Sequence, residues 1–406
     1  MKNINEIRAD FPILSRKVNN DMPLVYFDNG ATTQKPKCVI DTVSEVYATY
    51  NANIHRGVHF LSDMSSEAYE NAREKIRSFI NAGKKEEVVF TSGTTGSING
   101  LAFSFGERFI KPGDEIIISY LEHHANIVPW QMMCERKGAI LRVIPINDAG
   151  EIIMAEYLRM LSPKTRLVSV TQVSNVLGTV LPLNEIIAAA HSVNVPVLVD
   201  GAQGIQHGIV DVKAMDCDFY VFSGHKIYGP AGIGVLYGKE NLLSELPPFQ
   251  GGGDMVEKVT FEKTTYNVLP FKFEAGTMNY PGAIGLMSAL DYISSLGREE
   301  IAERENELLS YATERLSAIE GLKIYGNATR KISLISFLLK GIHQYDAGMI
   351  LDKLGIAVRT GTHCAQPVMD RYGISGTIRA SICFYNTKEE IDILTSGIEK
   401  VKQMLE

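Results

Sequence analysis

Val197-Leu198-Val199-Asp200-Gly201-Ala202-Gln203, with Ser223-Gly224-His225-Lys226 further on, decides how the rest of this chain is read. Three apolar residues closed by an acid and a small-residue turn describe a buried strand whose last side chain faces a crevice. A lysine flanked by Ser and His follows 26 residues after the acid. Read singly, the acid is a turn cap and the lysine a surface residue. Together they suit pyridoxal 5'-phosphate (PLP), whose aldehyde is carried as a Schiff base on a lysine and whose pyridine nitrogen is kept protonated by a carboxylate.

Outward from this stretch, strand and helix patterns alternate. Strands are expected over 88–90, 115–119, 140–144, 167–171, 197–199, 219–222 and 234–237, with helices from about 126 and over 154–161 and 183–191. Repeated βα units imply a mostly parallel sheet with helices on both faces and ligands outside the carboxyl ends of its strands. The clusters His123-His124, Ser174-Asn175, Asp200–Gln203 and Ser223–Lys226 all follow apolar runs and are expected to converge.

Nearer the start, residues 27–33 read as a short strand and polar turn, and Pro36 as the first residue of a helix. In that helix Val39, Ile40, Val43, Val46, Tyr47 and Tyr50 share a face. The loop Asn53–His59 precedes a helix over 62–82, capped by Ser62 or Ser65. Thr91-Ser92-Gly93-Thr94-Thr95-Gly96, between a strand and a helix start, reads as an anion site. It is not a P-loop, because the Gly-Lys-Thr ending is missing. An irregular polar segment is expected over 251–277, then a second set of helices and strands from 282 on. The expected architecture is α/β: a large PLP-binding domain over 20–285, plus a smaller α+β domain of 1–19 and 286–406 on which the N-terminal helix packs.

Bulk properties narrow the classes. A 406-residue chain, 45% hydrophobic and 21% charged, has the composition of a soluble two-domain protein. A net charge of −7 argues against a nucleic-acid face, and the N-terminus lacks a signal-peptide core, so the chain reads as cytoplasmic with no membrane span. Five cysteines without a C-x-x-C pair give no metal site and no redox disulfide. Cys38, Cys134, Cys217 and Cys383 read as small buried residues. Cys364 differs, lying in a Gly/Thr/His turn after Arg359 where a thiol is exposed and a cation favours thiolate.

The chain resembles the class V aminotransferase family of fold-type I PLP enzymes, and within it the SufS-like group II cysteine desulfurases and selenocysteine lyases. The resemblance rests on Glu122-His123-His124-Ala125-Asn126, Val173-Ser174-Asn175-Val176-Leu177-Gly178, Val199–Gln203, Ser223–Lys226, Phe273-Glu274-Ala275-Gly276-Thr277 and Arg359-Thr360-Gly361-Thr362-His363-Cys364. It implies Lys226 as the Schiff-base lysine, Asp200 on the pyridine nitrogen, His123 stacked on the ring and Gln203 at its hydroxyl. Thr94, Thr95, Ser223 and His225 would hold the phosphate, with Thr277 from the partner subunit of a homodimer. Asn175, Arg359 and Arg379 would hold the substrate, an arginine gripping its carboxylate.

What the resemblance implies is conversion of L-cysteine to L-alanine, with a persulfide on Cys364 passed to an acceptor for iron–sulfur cluster assembly, and L-selenocysteine as a second substrate. Two departures stand out: Thr362 where the family often has a second histidine, and Gly96 after Gly-Thr-Thr. Tyr345, where relatives served by a zinc-dependent acceptor have histidine, leans the acceptor toward SufE-like rather than SufU-like. The rivals are another class V PLP reaction without persulfide transfer and a non-catalytic scaffold; intact Lys226, Asp200 and His123 speak against the scaffold.

Overall fold

In the computed structural model, which describes residues 3–19 and 21–405, seven strands form the central sheet. They are β1 (Val88–Thr91), β2 (Glu115–Ser119), β3 (Ile140–Ile144), β4 (Thr165–Thr171), β5 (Val197–Asp200), β6 (Phe219–Ser223) and β7 (Gly234–Gly238), in the order β1-β7-β6-β5-β4-β2-β3. The pairs from β3 through β6 are parallel, and β7 runs antiparallel to both its neighbours. This is the mostly parallel sheet that the alternating pattern predicts.

Side-chain alternation divides the sheet between two cores. Val197, Val199, Tyr220 and Phe222 point to one face, among Ile76, Ile284 and Leu290 from helices Phe60–Phe79 and Tyr280–Leu296. Leu198, Phe219 and Val221 point to the other, among Ile98, Leu101 and Trp130 from helices Thr94–Phe109 and Val128–Lys137. Burial on both faces is why these strands read as unbroken apolar runs, and it leaves the carboxyl edge as the place where polar residues gather.

A second, antiparallel sheet has the order β8 (Leu322–Tyr325), β9 (Leu334–Leu339), β11 (Thr377–Ser381), β10 (Arg359–Gly361). Helices Arg298–Ser317 and Lys388–Leu405 cover it through Leu308, Leu316, Leu394 and Ile398. The stretch before residue 30 is stitched to this sheet: Ser381 N donates to Phe27 O (2.7 Å), and Val25–Tyr26 pairs with Ile356–Ala357. Helix Ile4–Ala9 sends Arg8 to Tyr385 O (2.8 Å) and to Glu390 (2.8 Å). The expected boundary at residue 20 lies outside the described residues.

Several local expectations are corrected. The helix expected from residue 62 begins at Phe60, and its cap is His59, whose Nδ1 accepts from Ser62 N (3.3 Å). Ser62 and Ser65 instead donate to Asn53 O (2.7 Å) and Tyr50 O (2.6 Å), so their hydroxyls tie the preceding loop down. Pro36 stands one position earlier than expected, as the cap of helix Lys37–Thr49. On that helix Ile40 and Tyr47 are exposed, because the core takes only the narrower stripe through Val39 and Val46. Cys38 is exposed, not buried. The segment expected to be irregular contains a hairpin, Val256–Val259 against Thr264–Tyr266. Among the described residues no helix is long and apolar enough to cross a membrane.

Candidate active site

Four strand ends deliver the site. Asp200 closes β5, Ser223 closes β6 and leads into the turn Gly224–Lys226, Asn175 follows β4, and His123 follows β2. Beneath His123, buried Glu122 accepts from Asn126 Nδ2 (2.7 Å) and Thr171 N (3.0 Å), tying the ends of β2 and β4 together. The second sheet adds Arg359 from β10, Arg379 from β11 and the turn bearing His363 and Cys364.

Thr94, Thr95, His123, Asn175, Asp200, Gln203, Ser223, His225, Lys226, Arg359, Cys364 and Arg379 line one cavity of about 210 Å³. Thr277 does not: it is exposed on another cavity of about 420 Å³, which Gly96 also lines. Among the residues on this wall that the sequence reading gave no role are Gly30, Ala31 and His363. Asp28 stands behind the wall, with Arg379 at 3.2 Å and Arg359 at 3.7 Å.

Burial dominates the electrostatics. It pushes the Lys226 amine down to about 8; Asp200 pulls it up, and Arg379 and Arg359 push it further down. Burial raises the Asp200 carboxyl, which the Ala202 amide (2.9 Å) and Lys226 partly offset. His123 falls to about 3 through burial and then Lys226, and His363 to about 3 through burial and then Arg379. Both imidazoles are therefore neutral at physiological pH. Arg379 is driven to about 10 by burial, with Asp28 as the counter-ion that raises it.

Four buried atoms of wall residues have no partner: Asn175 Oδ1, Gln203 Oε1, His363 Nδ1 and Arg379 Nε. Each such orphan costs about 1–3 kcal/mol, so a polar occupant with donors and acceptors would relieve several at once. At one end Thr94 N and Thr94 Oγ1 both lie 2.8 Å from Ser223 Oγ, at the start of helix Thr94–Phe109. Gly93 sits there at φ +143°, crossing so close to Gly234 that a Cβ on the latter would fall 2.4 Å from Gly93 Cα. An amide and hydroxyls gathered at a helix N-terminus, here paired with one another, suit a phosphate that would take their hydrogen bonds. With an amine, a buried acid and an amide carbonyl further in, the donor set fits PLP.

Cys364 occupies the rim and is partly exposed. His363 and Cys364 are both left-handed, at φ +53° and +56°, a costly conformation for two consecutive side-chain-bearing residues. Neighbours hold them there. His124 N donates to Cys364 O (2.7 Å), Asn175 Nδ2 donates to His363 O (2.6 Å), and His363 Nε2 meets Thr377 Oγ1 at 2.9 Å. The turn thus presents the thiol at the mouth from a fixed backbone.

Residues 25–394 match the family model of aminotransferase class V. A cysteine desulfurase of Synechococcus elongatus is 52% identical over 98% of this chain, which spans only 64% of that protein's length. A probable cysteine desulfurase of Mycobacterium leprae is 50% identical, and the chain spans 65% of it. A cysteine desulfurase of Escherichia coli is 51% identical over 99% of both chains. Among solved structures, the apo cysteine desulfurase of Thermococcus onnurineus superposes with a TM-score of 0.94 at 38% identity, over 100% of this chain and 99% of that one. A lysine-to-alanine mutant of C-DES with glycine covalently linked to its PLP cofactor superposes at 0.83 with 25% identity, over 96% of this chain and 98% of that one.

Proposed function

Because the chain belongs to the aminotransferase class V family and, within it, to the cysteine desulfurases, we propose that it is a PLP-dependent enzyme that converts L-cysteine to L-alanine and keeps the sulfur as a persulfide on Cys364. The observation that carries this reading is the shared cavity: an amine, a buried acid, a neutral imidazole and two arginines face it, with a thiol on its rim. We propose 20–285 as the unit that carries the cofactor, with 1–19 and 286–406 as the smaller unit.

Lys226 would carry the cofactor covalently, Asp200 would pair with the pyridine nitrogen and Gln203 with the ring hydroxyl. Thr94, Thr95, Ser223 and His225 would take the phosphate, with His123 over the ring. When bound, the cofactor supplies an electron sink that acidifies the Cα proton of L-cysteine. The Lys226 amine, already driven toward neutrality, takes that proton. Arg379 offers its free Nε edge to the substrate carboxylate, helped by Arg359 and Asn175. Cys364 Sγ then attacks the substrate sulfur: an S–S bond forms, the Cβ–S bond breaks, and its electron pair goes to the carbon side. Neutral His123 would relay the proton that completes the methyl group of alanine.

The reading includes a homodimer, supported by Thr277, which lies away from its own cavity and would reach the phosphate site of a partner. Val58, Phe261 and Val268 on loops, and Phe60 at the start of its helix, stand largely exposed near the Arg56–Asp254 ion pair, an apolar surface that a second copy would cover. The exposed phenol of Tyr345 is a poor zinc ligand and favours a SufE-like over a SufU-like acceptor, in a cytoplasmic pathway of iron–sulfur cluster assembly. L-selenocysteine is the second substrate of the reading. Incubating the PLP-loaded protein with L-cysteine, with alanine and protein-bound persulfide measured together, tests it: both should form in equal amounts in the first turnover. Alanine without persulfide would favour a lyase that does not use Cys364.

A further inference from the structure

Arg359 and Arg379 are directly opposite each other on the antiparallel strands β10 and β11. Two like charges in that register repel, and Arg379 is only 2% exposed, so water does little to separate them. The structure answers with one carboxylate. Asp28 lies 3.2 Å from Arg379 Nη2 and 3.7 Å from Arg359 Nη1, on a backbone held by the Asp28–Ser381 bridge. Gly30, two residues on, makes room for the guanidinium: a Cβ there would meet Arg379 Cζ and Nη2 at 3.3 Å. Arg379 Nη1 is taken by Asn175 O (2.8 Å), which leaves Nε as its unpaired edge. Burial raises the Asp28 carboxyl, and Arg379 and then Arg359 pull it back.

We propose that Asp28 sets the charge this end of the site accepts: by sharing its carboxylate between two arginines, it leaves one net positive charge, matched to an amino acid with a single carboxylate. A substrate with a second acid group meets an arginine pair already half neutralised, so selection against dicarboxylic amino acids is built in opposite the reacting groups. The inference rests on the reading that the arginines bind the substrate carboxylate.

Its test is calorimetric binding of unreactive amines to the PLP-loaded protein, which needs no turnover. L-Asparagine and L-aspartate are nearly isosteric and differ by one charge. Wild type should prefer asparagine or bind the two about equally. Asp28→Asn should shift the ratio toward aspartate by about tenfold, the effect of one partly screened charge several ångströms away. Asp28→Glu should keep the wild-type ratio, and serves also if the Asn variant loses the fold: a Glu variant that favours aspartate overturns the proposal. Equal weakening of both ligands in Asp28→Asn would make Asp28 a packing residue and overturn it too. Ethylamine, which lacks the carboxylate of alanine, checks the underlying reading separately. If it binds wild type as tightly as L-alanine, the arginines do not read a carboxylate, and the proposal falls with that reading; if only the aspartate ratio fails to move, the reading stands and Asp28 has no such role.

Discussion

The floor and the rim of the cavity are built by opposite means. On the floor, Asp200 and Lys226 are set in the central sheet, and burial drives the acid up and the amine down, so each is brought toward neutrality. On the rim, Arg359 is exposed and Cys364 partly so, and what fixes them is a strained turn and a shared carboxylate. The floor therefore suits proton transfer near neutral pH, where desolvation makes an amine a usable base. The rim suits a nucleophile that must meet an entering substrate and, on the proposed reading, pass its sulfur on.

If that division is right, substitutions on the floor cost the most. Lys226→Ala should abolish the absorbance band of the lysine-linked cofactor in the substrate-free protein and lower turnover about 10⁴-fold or more, the upper end of what one positioned acid–base group supplies. Retention of a normal spectrum would remove Lys226 from its role. Asp200→Asn should reduce turnover on the order of 100-fold, as loss of one preorganised electrostatic partner does, and loosen cofactor retention measured by dialysis.

Stability should divide the same way. Arg379→Met removes a buried guanidinium, leaves the half-buried Asp28 carboxylate with only the more distant Arg359, and should destabilise the fold by about 1–3 kcal/mol in denaturant titrations. Arg359→Gln removes an exposed charge whose one ion pair among the described residues is long, and should cost at most about 1 kcal/mol while raising KM. Equal losses for the two would mean that the exposed arginine is as firmly built in as the buried one.

A gentler probe uses pH on the cofactor-free protein. An amine reacts with acylating reagents only when neutral, and a lowered pKa moves that state to lower pH. Lys226, held near 8, should be about half neutral at pH 8, where an ordinary lysine near 10.4 is under about 1% neutral. Labelling followed by mass spectrometry should show Lys226 modified ahead of the exposed lysines as pH rises from 7 to 9, as should the half-buried Lys35 and Lys331, which burial also lowers to about 8; modification of Lys226 in step with the exposed lysines would contradict an enclosed amine.

The sequence made the floor legible and left much of the rim unread, for a physical reason. Val197–Asp200 and Phe219–Ser223 are buried on both faces, so their apolar runs and the polar residues after them could be placed on a parallel sheet without knowing their neighbours. Asp28 was visible only as the end of a short strand, because its meaning depends on arginines more than 300 residues away in the chain. The hairpin Val256–Val259/Thr264–Tyr266 was unreadable because its side chains are mostly exposed, giving no buried face to impose alternation. Ile40 and Tyr47 fit the helical stripe of Val39 and Val46 yet stand in the open, since a single chain's periodicity does not tell a core from a surface awaiting a partner.

The account turns on the thiol at the rim, and Cys364→Ser tests it most directly. The variant keeps Lys226, Asp200 and both arginines, so it should bind PLP and L-cysteine with a wild-type spectral change. Alanine release from L-cysteine and persulfide on the protein should both fall by at least about 100-fold, as loss of the attacking group in covalent catalysis requires. Alanine formed from L-cysteine at the wild-type rate by this variant would contradict the account and leave Cys364 a bystander.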